Sequence, residues 1–237
     1  MKVLALETGS EWCDVAVGDG THWAVRSHHA GQAHSERIIS MVDAALAEAG
    51  VALRDLDGIA FGAGPGAFTG VRIACGIAQG LSLGTGAPVV PVSTLKALAE
   101  VARRSHGWTQ VLAAQDARMG EVYVAAHRFE AGRWLDVAPA AVLPPSAVTL
   151  PDAANAIPGA ARWFGGGSGF AAYPDLGSTL ALAGIDAALR PDAQAIGDLA
   201  LPVLRAGGGV TAALALPIYV RNRVALTTAE RAAGARL

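Results

Sequence analysis

KVLALETGSEWCDVAVGDGTHWAVRS, residues 2–27, is the stretch that decides the fold. Its apolar runs Lys2–Leu6, Trp12–Val17 and His22–Ser27 are separated by a polar turn at Thr8–Glu11 and by Gly18-Asp19-Gly20. Short apolar runs between such turns predict three consecutive strands joined as an antiparallel meander. The period then changes. From Ser35 to Ala49 the apolar residues Ile38, Met41, Val42, Ala45, Leu46 and Ala49 recur at three- and four-residue steps, with Glu36, Arg37, Asp43 and Glu48 largely off that stripe. This is one face of an amphipathic helix, and Gly50 is its stop.

Further along, Leu56–Phe61 reads as a strand, Val71–Leu83 as a helix and Pro88–Val92 as a strand. Ser93 is placed to cap a helix over Thr94–Arg104, and Trp108–Ala114 is a strand again. The order β-β-β-α-β-α-β-α is that of an α/β half-domain of the actin-like ATPase (ribonuclease-H-like) fold; a doubly wound nucleotide-binding sheet would alternate from its first strand. Past Val111 the pattern begins again. Val111–Ala114 and Glu121–His127 flank the turn DARMG, a hairpin signal, and Trp134–Val142 supplies another strand. Pro144, Pro145, Pro151 and Pro158 and a looser GGGSG at 165–169 precede a helical pattern over Ala193–Ala206 that opens near Asp192. The expectation is two lobes, an N-terminal one over residues 1–106 and a reduced second one over 107–237.

The 237 residues, 52% hydrophobic and 16% charged, can bury a large core. Much of that hydrophobicity is alanine, which leaves fewer side chains for a wholly solvated surface and suggests subunit association. A net charge of −2 provides no field to hold nucleic acid tightly alone. Arg221, Arg223, Arg231 and Arg236 form a modest basic tail, read as a solvated end, with a phosphate contact as the alternative. The N-terminal apolar run is too short for a signal peptide and contains Glu7, and no apolar run reaches the roughly 18 residues of a membrane span. Cys13 and Cys75 read as small buried thiols. A cytoplasmic location is expected.

Two segments carry the functional information. In an actin-like ATPase, the turn Glu7-Thr8-Gly9-Ser10 would wrap phosphate with backbone N–H groups and hydroxyls, and an acid would hold the metal's waters. Glu7, Thr8 and Ser10 are therefore candidates for nucleotide contact; the alternative is an ordinary polar hairpin turn. The loop GAGPGAFTGVR, residues 62–72, has glycines at 62, 64, 66 and 70 around Pro65. That density fits a backbone needing φ > 0 or close approach at several points. Thr69 is placed to cap the following helix and leave its N–H groups facing outward. The loop serves an anion, a rigid shelf for a partner, or simply a tight connection. It lacks the GK[ST] ending of a P-loop and any GxGxxG frame.

The helix that follows, VRIACGIAQGLSL at 71–83, has only Arg72, Gln79 and Ser82 polar, so it is expected to be buried on more than one side. Gly76 and Gly80 inside it cost about 1 kcal/mol each against alanine, which points to close backbone approach by something. That neighbour could be the Ser35–Ala49 helix, another subunit, or both. A helical metal site at His34 would want a second ligand one turn on, where Ile38 stands; His34 reads as a capping or packing residue. Cys75, in a buried helix, is a poor thiolate. No metal site and no catalytic constellation are expected.

The chain resembles the TsaB (YeaZ) family, the bacterial partner subunit of the machinery that makes threonylcarbamoyladenosine in tRNA. The resemblance is carried by LALETGS at 4–10, HSERIISMVDAAL at 34–46, DLDGIAFGAGPGAFTGVRIA at 55–74, PVVPVSTLKALA at 88–99, DARMGEVY at 116–123 and PIYVR at 217–221; residues 143–215 match weakly. It implies a non-catalytic subunit that pairs through its N-terminal lobe with a TsaD-type catalytic paralogue and is joined by a TsaE-type ATPase. ATP and magnesium would be used by the assembled complex with none bound tightly here, tRNA would be met through the complex, and members can also pair with themselves. The family places its contact on the two helices, which implies an interface of His34, Ser35, Ile38, Met41, Val42, Ala45, Ile73, Ile77, Gly80 and Leu81. Its signature loop falls on Gly64, Pro65, Gly66, Thr69, Gly70 and Arg72. Glu7 stands where the family usually has aspartate. Two other classes compete with the subunit reading. An independent actin-like ATPase or small-molecule kinase would need carboxylates in both lobes, and the second offers Asp116. A metallopeptidase would need metal ligands not evident in the sequence.

Overall fold

The computed structural model describes residues 1–31, 33–151 and 162–221; Pro158, Arg223, Arg231 and Arg236 lie outside them. The meander forms as β1 (Val3–Glu7), β2 (Trp12–Gly18) and β3 (Trp23–His29), followed by α1 (His34–Ala49), β4 (Gly58–Gly64), α2 (Phe68–Thr85), β5 (Val89–Ser93) and α3 (Thr94–His106). The first sheet has the order β3-β2-β1-β4-β5, antiparallel across the meander and parallel from β1 through β4 to β5. The second sheet, β6 (Gln110–Asp116), β7 (Val122–Glu130), β8 (Arg133–Leu143), β9 (Phe164–Gly166) and β10 (Ile185–Asp186), has the order β10-β9-β6-β7-β8 and the same pattern of directions. One plan is used twice, as the actin-like reading requires. The second copy is reduced: the short helices α4 (Gly169–Ala172) and α5 (Asp175–Thr179) stand between β9 and β10, where the first lobe has the 18-residue α2.

Strand alternation puts successive side chains on opposite faces of the first sheet, and both faces are covered. Leu4, Leu6, Val15, Val17, Ile59 and Phe61 pack under Ile38, Val42 and Ala45 of α1 and Ala74 and Ala78 of α2. Val3, Ala5, Ala16, Ala60 and Val90 pack against Ile196, Ala200 and Leu204 of α6 (Ala193–Arg205). The division at 106/107 therefore separates the sheets but not their helices. Helix α3, from the first segment, lays Leu95 and Leu98 on Ala113 and Ala125 of the second sheet. Helix α6, from the second, covers the first sheet. Each sheet has two apolar faces to bury, and exchanging helices covers an inner face of each.

Polar clasps fix this exchange. Asp192 caps α6 through Ala195 N at 2.7 Å and takes both of its oxygens to Arg104 of α3. Arg190, just ahead of it, ion-pairs with buried Asp14 of β2 and lies 4.3 Å from the Trp12 ring. Ser93 caps α3 as expected. Two local expectations are corrected. Thr69 does not cap α2: the helix starts at Phe68, three residues before the expected Val71, and Ala67 at its N-cap supplies no side-chain cap. Residues 165–169 are not loose, because Gly165 and Gly166 end β9 under Phe170, Leu182 and Leu98, where a side chain would collide. Among the described residues no helix is long and apolar enough to cross a membrane.

Candidate functional site

The two informative segments of the sequence meet each other. The turn after β1 and the loop after β4 interlock at the C-terminal ends of these two central, parallel strands of the first sheet. Ala67 donates its backbone N–H to Gly9 O at 2.8 Å, and Thr8 Oγ1 donates to Gly70 O at 2.7 Å. The glycines are what let the chains come so close. A Cβ on Gly66 would stand 2.7 Å from Gly9 O, one on Gly70 1.9 Å from Thr8 O, and one on Gly62 1.8 Å from Glu7 Oε2. Pro65 O accepts from Thr94 Oγ1 at the start of α3, so the loop is held on that side as well.

Glu7 is completely enclosed by this joint. Its Oε1 accepts from Gly9 N–H, and its buried Oε2 has no hydrogen-bond partner among the described residues. Burial pushes the carboxyl up from its ordinary 4.5 to about 7, with the Gly9 hydrogen bond opposing and Asp14 adding to the rise. Thr8 is also fully buried, and Ser10, half-buried, accepts from Trp12 N–H. In this arrangement Glu7, Thr8 and Ser10 do not fit a nucleotide phosphate: the Gly9 N–H that would face it is given to Glu7, and the signature loop fills the space. The turn acts as a joint between segments, with no open cradle.

In the second lobe, DARMG turns with Arg118 and Met119 at positive φ. Asp116 is engaged locally, by Arg118 N–H at 2.8 Å and Tyr173 Oη at 3.4 Å. Arg221 is not the solvated residue the sequence suggested. Its guanidinium is largely buried against the same turn, bonded to Glu121 at 2.6 Å and to Ala117 O at 3.1 Å. The segment leading to it is pinned to the first lobe: Ala215 O accepts from Gln79 Nε2 at 2.9 Å and from Cys75 Sγ at 3.1 Å, and Ile218 N donates to Ala63 O at 2.7 Å. Residues 215–221 thus form a strap from α2 to the second lobe, which explains why PIYVR and DARMGEVY stand out together. Cys13 and Cys75 are free and buried, with burial pushing the Cys13 thiol up to about 11.

Helices α1 and α2 lie side by side on the outer face of the first sheet, and burial sorts the expected interface residues. Ile38, Val42 and Ala45 are core residues, and His34 is buried too. The side chains of these four are covered by this chain itself and are not offered at its surface. Burial also lowers the pKa of His34, opposed by hydrogen bonding to the Ser10 and Gly31 backbone. No group of three or more His, Cys, Asp or Glu residues that could hold a metal occurs among the described residues. Met41, Ile73, Ile77 and Leu81 are half-buried, while Ser35 and Gly80 face outward. Residues missed by the sequence reading complete that outer face: Ile39 (46% exposed), Phe68 (56%), Leu83 (79%) and Gly84; Gly76, which the sequence had marked for close approach, lies on it too.

The glycines of α2 are the informative part of this face. A Cβ on Gly76, Gly80 or Gly84 would meet nothing within 4 Å. Their four-residue spacing places them on one side of the helix, and that side is bare. The close approach expected at Gly76 and Gly80 is therefore not made to any described part of this chain. The spacing was readable in the sequence; the emptiness around it was not.

A five-stranded sheet plan used twice, an exchanged helix pair and an interlocked turn and loop define a two-lobed protein of the ribonuclease-H-like, actin-like class. The profile of the family described as “TsaD: tRNA N6-adenosine threonylcarbamoyltransferase” matches residues 25–218. The chain is 42% identical to the tRNA threonylcarbamoyladenosine biosynthesis protein TsaB of Escherichia coli (strain K12) over 230 residues, 95% of this chain and 96% of that one. Two Pseudomonas aeruginosa structures superpose on it at 41% identity. One, described as an uncharacterized protein with similarity to peptidase YEAZ, has a TM-score of 0.85 and covers 93% of this chain and 99% of that one. The other, YeaZ, has a TM-score of 0.82 and covers 92% and 99%. The chain belongs to the TsaB (YeaZ) family of tRNA threonylcarbamoyladenosine biosynthesis proteins, within the wider TsaD-type group.

Proposed function

We propose that this chain is the non-catalytic partner subunit of the assembly that transfers a threonylcarbamoyl group to an adenosine of tRNA beside the anticodon. It docks the outer face of α1 and α2 on a TsaD-type catalytic paralogue, in the cytoplasm. A TsaE-type ATPase joins the pair, ATP and magnesium are used by the complex without tight binding by this chain, and tRNA is met through the complex. The same face serves when the chain pairs with itself.

The observation that carries this reading is the bare glycine line of α2. Gly76 and Gly80, in the helix interior, cost about 1 kcal/mol each in helix stability, and no contact inside the described chain repays that cost. A partner backbone packed along Gly76, Gly80 and Gly84 does, with Ile39, Ile73, Ile77 and Leu83 as the apolar surround. The closed turn around Glu7 supports assembly over free-standing catalysis.

The test is co-purification of the full chain with its TsaD-type paralogue, followed by titration of Gly80→Leu. The substitution fills the empty line, so affinity should fall by about 100-fold or more while the melting temperature holds or rises. Wild-type affinity in Gly80→Leu would remove the glycine face from the interface. Magnesium-dependent ATP turnover by the isolated chain, at micromolar affinity and without a partner, would favour an independent actin-like ATPase or small-molecule kinase.

A further inference from the structure

The line Gly76, Gly80 and Gly84 extends, at the same four-residue spacing, to Arg72 and Phe68 at the start of α2. Arg72 is exposed, and its Cζ lies 3.2 Å from the centroid of the Phe68 ring. Tyr219 of the strap approaches from the side, 5.2 Å from the same carbon and 6.4 Å from the Phe68 ring. Two rings therefore hold the guanidinium in place, and its in-plane N–H groups have no carboxylate among the described residues. Eight of the thirteen described arginines do have one: Arg26, Arg54, Arg103, Arg104, Arg118, Arg128, Arg190 and Arg221 are ion-paired.

We propose that Arg72, oriented by Phe68 and Tyr219, is the anchor that receives an aspartate or glutamate carboxylate of the protein docked along α2. The proposal rests on the docking reading above and adds the chemistry of the partner to it. A planar guanidinium stacked on a ring keeps its edge free, and that edge matches a carboxylate bidentately. Its setting is apolar: Phe68 and Tyr219 are exposed beside it, and Leu216 and Ile218 are exposed along the same strap. An arginine and a tyrosine in an apolar surround make a protein-binding hot spot. A phosphate backbone would instead call for a basic field, and the chain carries a net charge of −2. The strap is fastened at Ala215 and Ile218 to the first lobe and at Arg221 to the second, so Tyr219 is in place before any partner arrives. That preorganisation lowers the ordering cost of binding.

The test uses the full chain and its TsaD-type paralogue in calorimetric titrations at low and moderate salt, with Gly80→Leu run in parallel. Arg72→Ala should weaken binding about 10- to 100-fold without altering the melting temperature. Arg72→Lys should recover only part of it, because a point charge lacks the planar fork. Arg72→Glu should be worse than alanine, and a lysine placed at one acidic position of the partner should restore it. Loss of binding in Gly80→Leu with wild-type affinity in Arg72→Ala would overturn the anchor and leave the docking face standing. Wild-type affinity in both would overturn both. Loss in Arg72→Ala with none in Gly80→Leu would remove the α2 line as the docking face, and the proposal with it. Intact pairing in Arg72→Ala combined with weaker retention of tRNA by the complex would assign the guanidinium to a phosphate, which also overturns it.

Discussion

Gly70→Ala is expected to destabilise the fold by at least about 3 kcal/mol, the upper end of what overpacking costs. The new methyl would stand 1.9 Å from Thr8 O, a backbone atom that is itself covered by the joint between turn and loop. No rotamer change relieves that contact; the loop, the turn or the first turn of α2 must move, and the Thr8 hydrogen bond to Gly70 O is lost with it. Gly76→Ala, six residues along the same helix, is expected to do the opposite. Its methyl points into open space, so the helix gains up to about 1 kcal/mol. Urea melts of the two variants check this pair. Equal effects would mean that burial of the two glycines does not differ as described.

Glu7→Gln is expected to stabilise the protein at pH 8 by about 3 kcal/mol relative to the parent chain, with the difference vanishing near pH 4. The carboxyl of Glu7 titrates at about 7 in the folded chain against an ordinary 4.5, because burial opposes its charge. Between those values the folded state holds a proton that the unfolded chain has released. Parent stability therefore falls as pH rises through that window and is lowest above pH 7. The size follows from 1.36 kcal/mol per pH unit over that interval. Glutamine keeps the shape and the acceptor for Gly9 N–H but never ionises. Asp198, raised by burial to about 6, is present in both chains and cancels in the difference. Denaturation free energies from pH 4 to 8 decide it: parallel profiles for the two proteins would show that Glu7 is not the enclosed acid described.

The same two residues show how far a sequence can be read. Gly70 is recognisable as one of four glycines in a strand-to-helix loop, and a need for close approach follows from their density. What they approach is not recognisable, because Thr8 and Gly9 are some sixty residues away in the chain. Glu7 looks like a ligand-facing acid when judged by its place after the first strand. Its enclosure depends on Gly62, a long-range neighbour whose missing side chain leaves room for the carboxylate. Arg221 was misread for a similar reason: a tail arginine next to Arg223 looks solvated until Glu121, 100 residues earlier, is brought beside it.

Alternation and helical spacing are local properties, so the sequence alone determined the three-strand meander, the helices that follow it and the return of the plan past Val111. Those features settle the class, and they also single out the loop 62–72 and the helix after it. Spacing shows which residues share a face; it does not show what covers that face. Tertiary structure decided that α3 and α6 exchange sheets, because each helix buries its apolar side against strands remote in the chain. It decided that Ile38, Val42 and Ala45 belong to the core, while no described part of the chain covers Gly76, Gly80 or Gly84. The physical difference lies in the neighbours: Gly62, Gly66 and Gly70 are filled by this chain's own backbone and side chains, and the next three are open to another's.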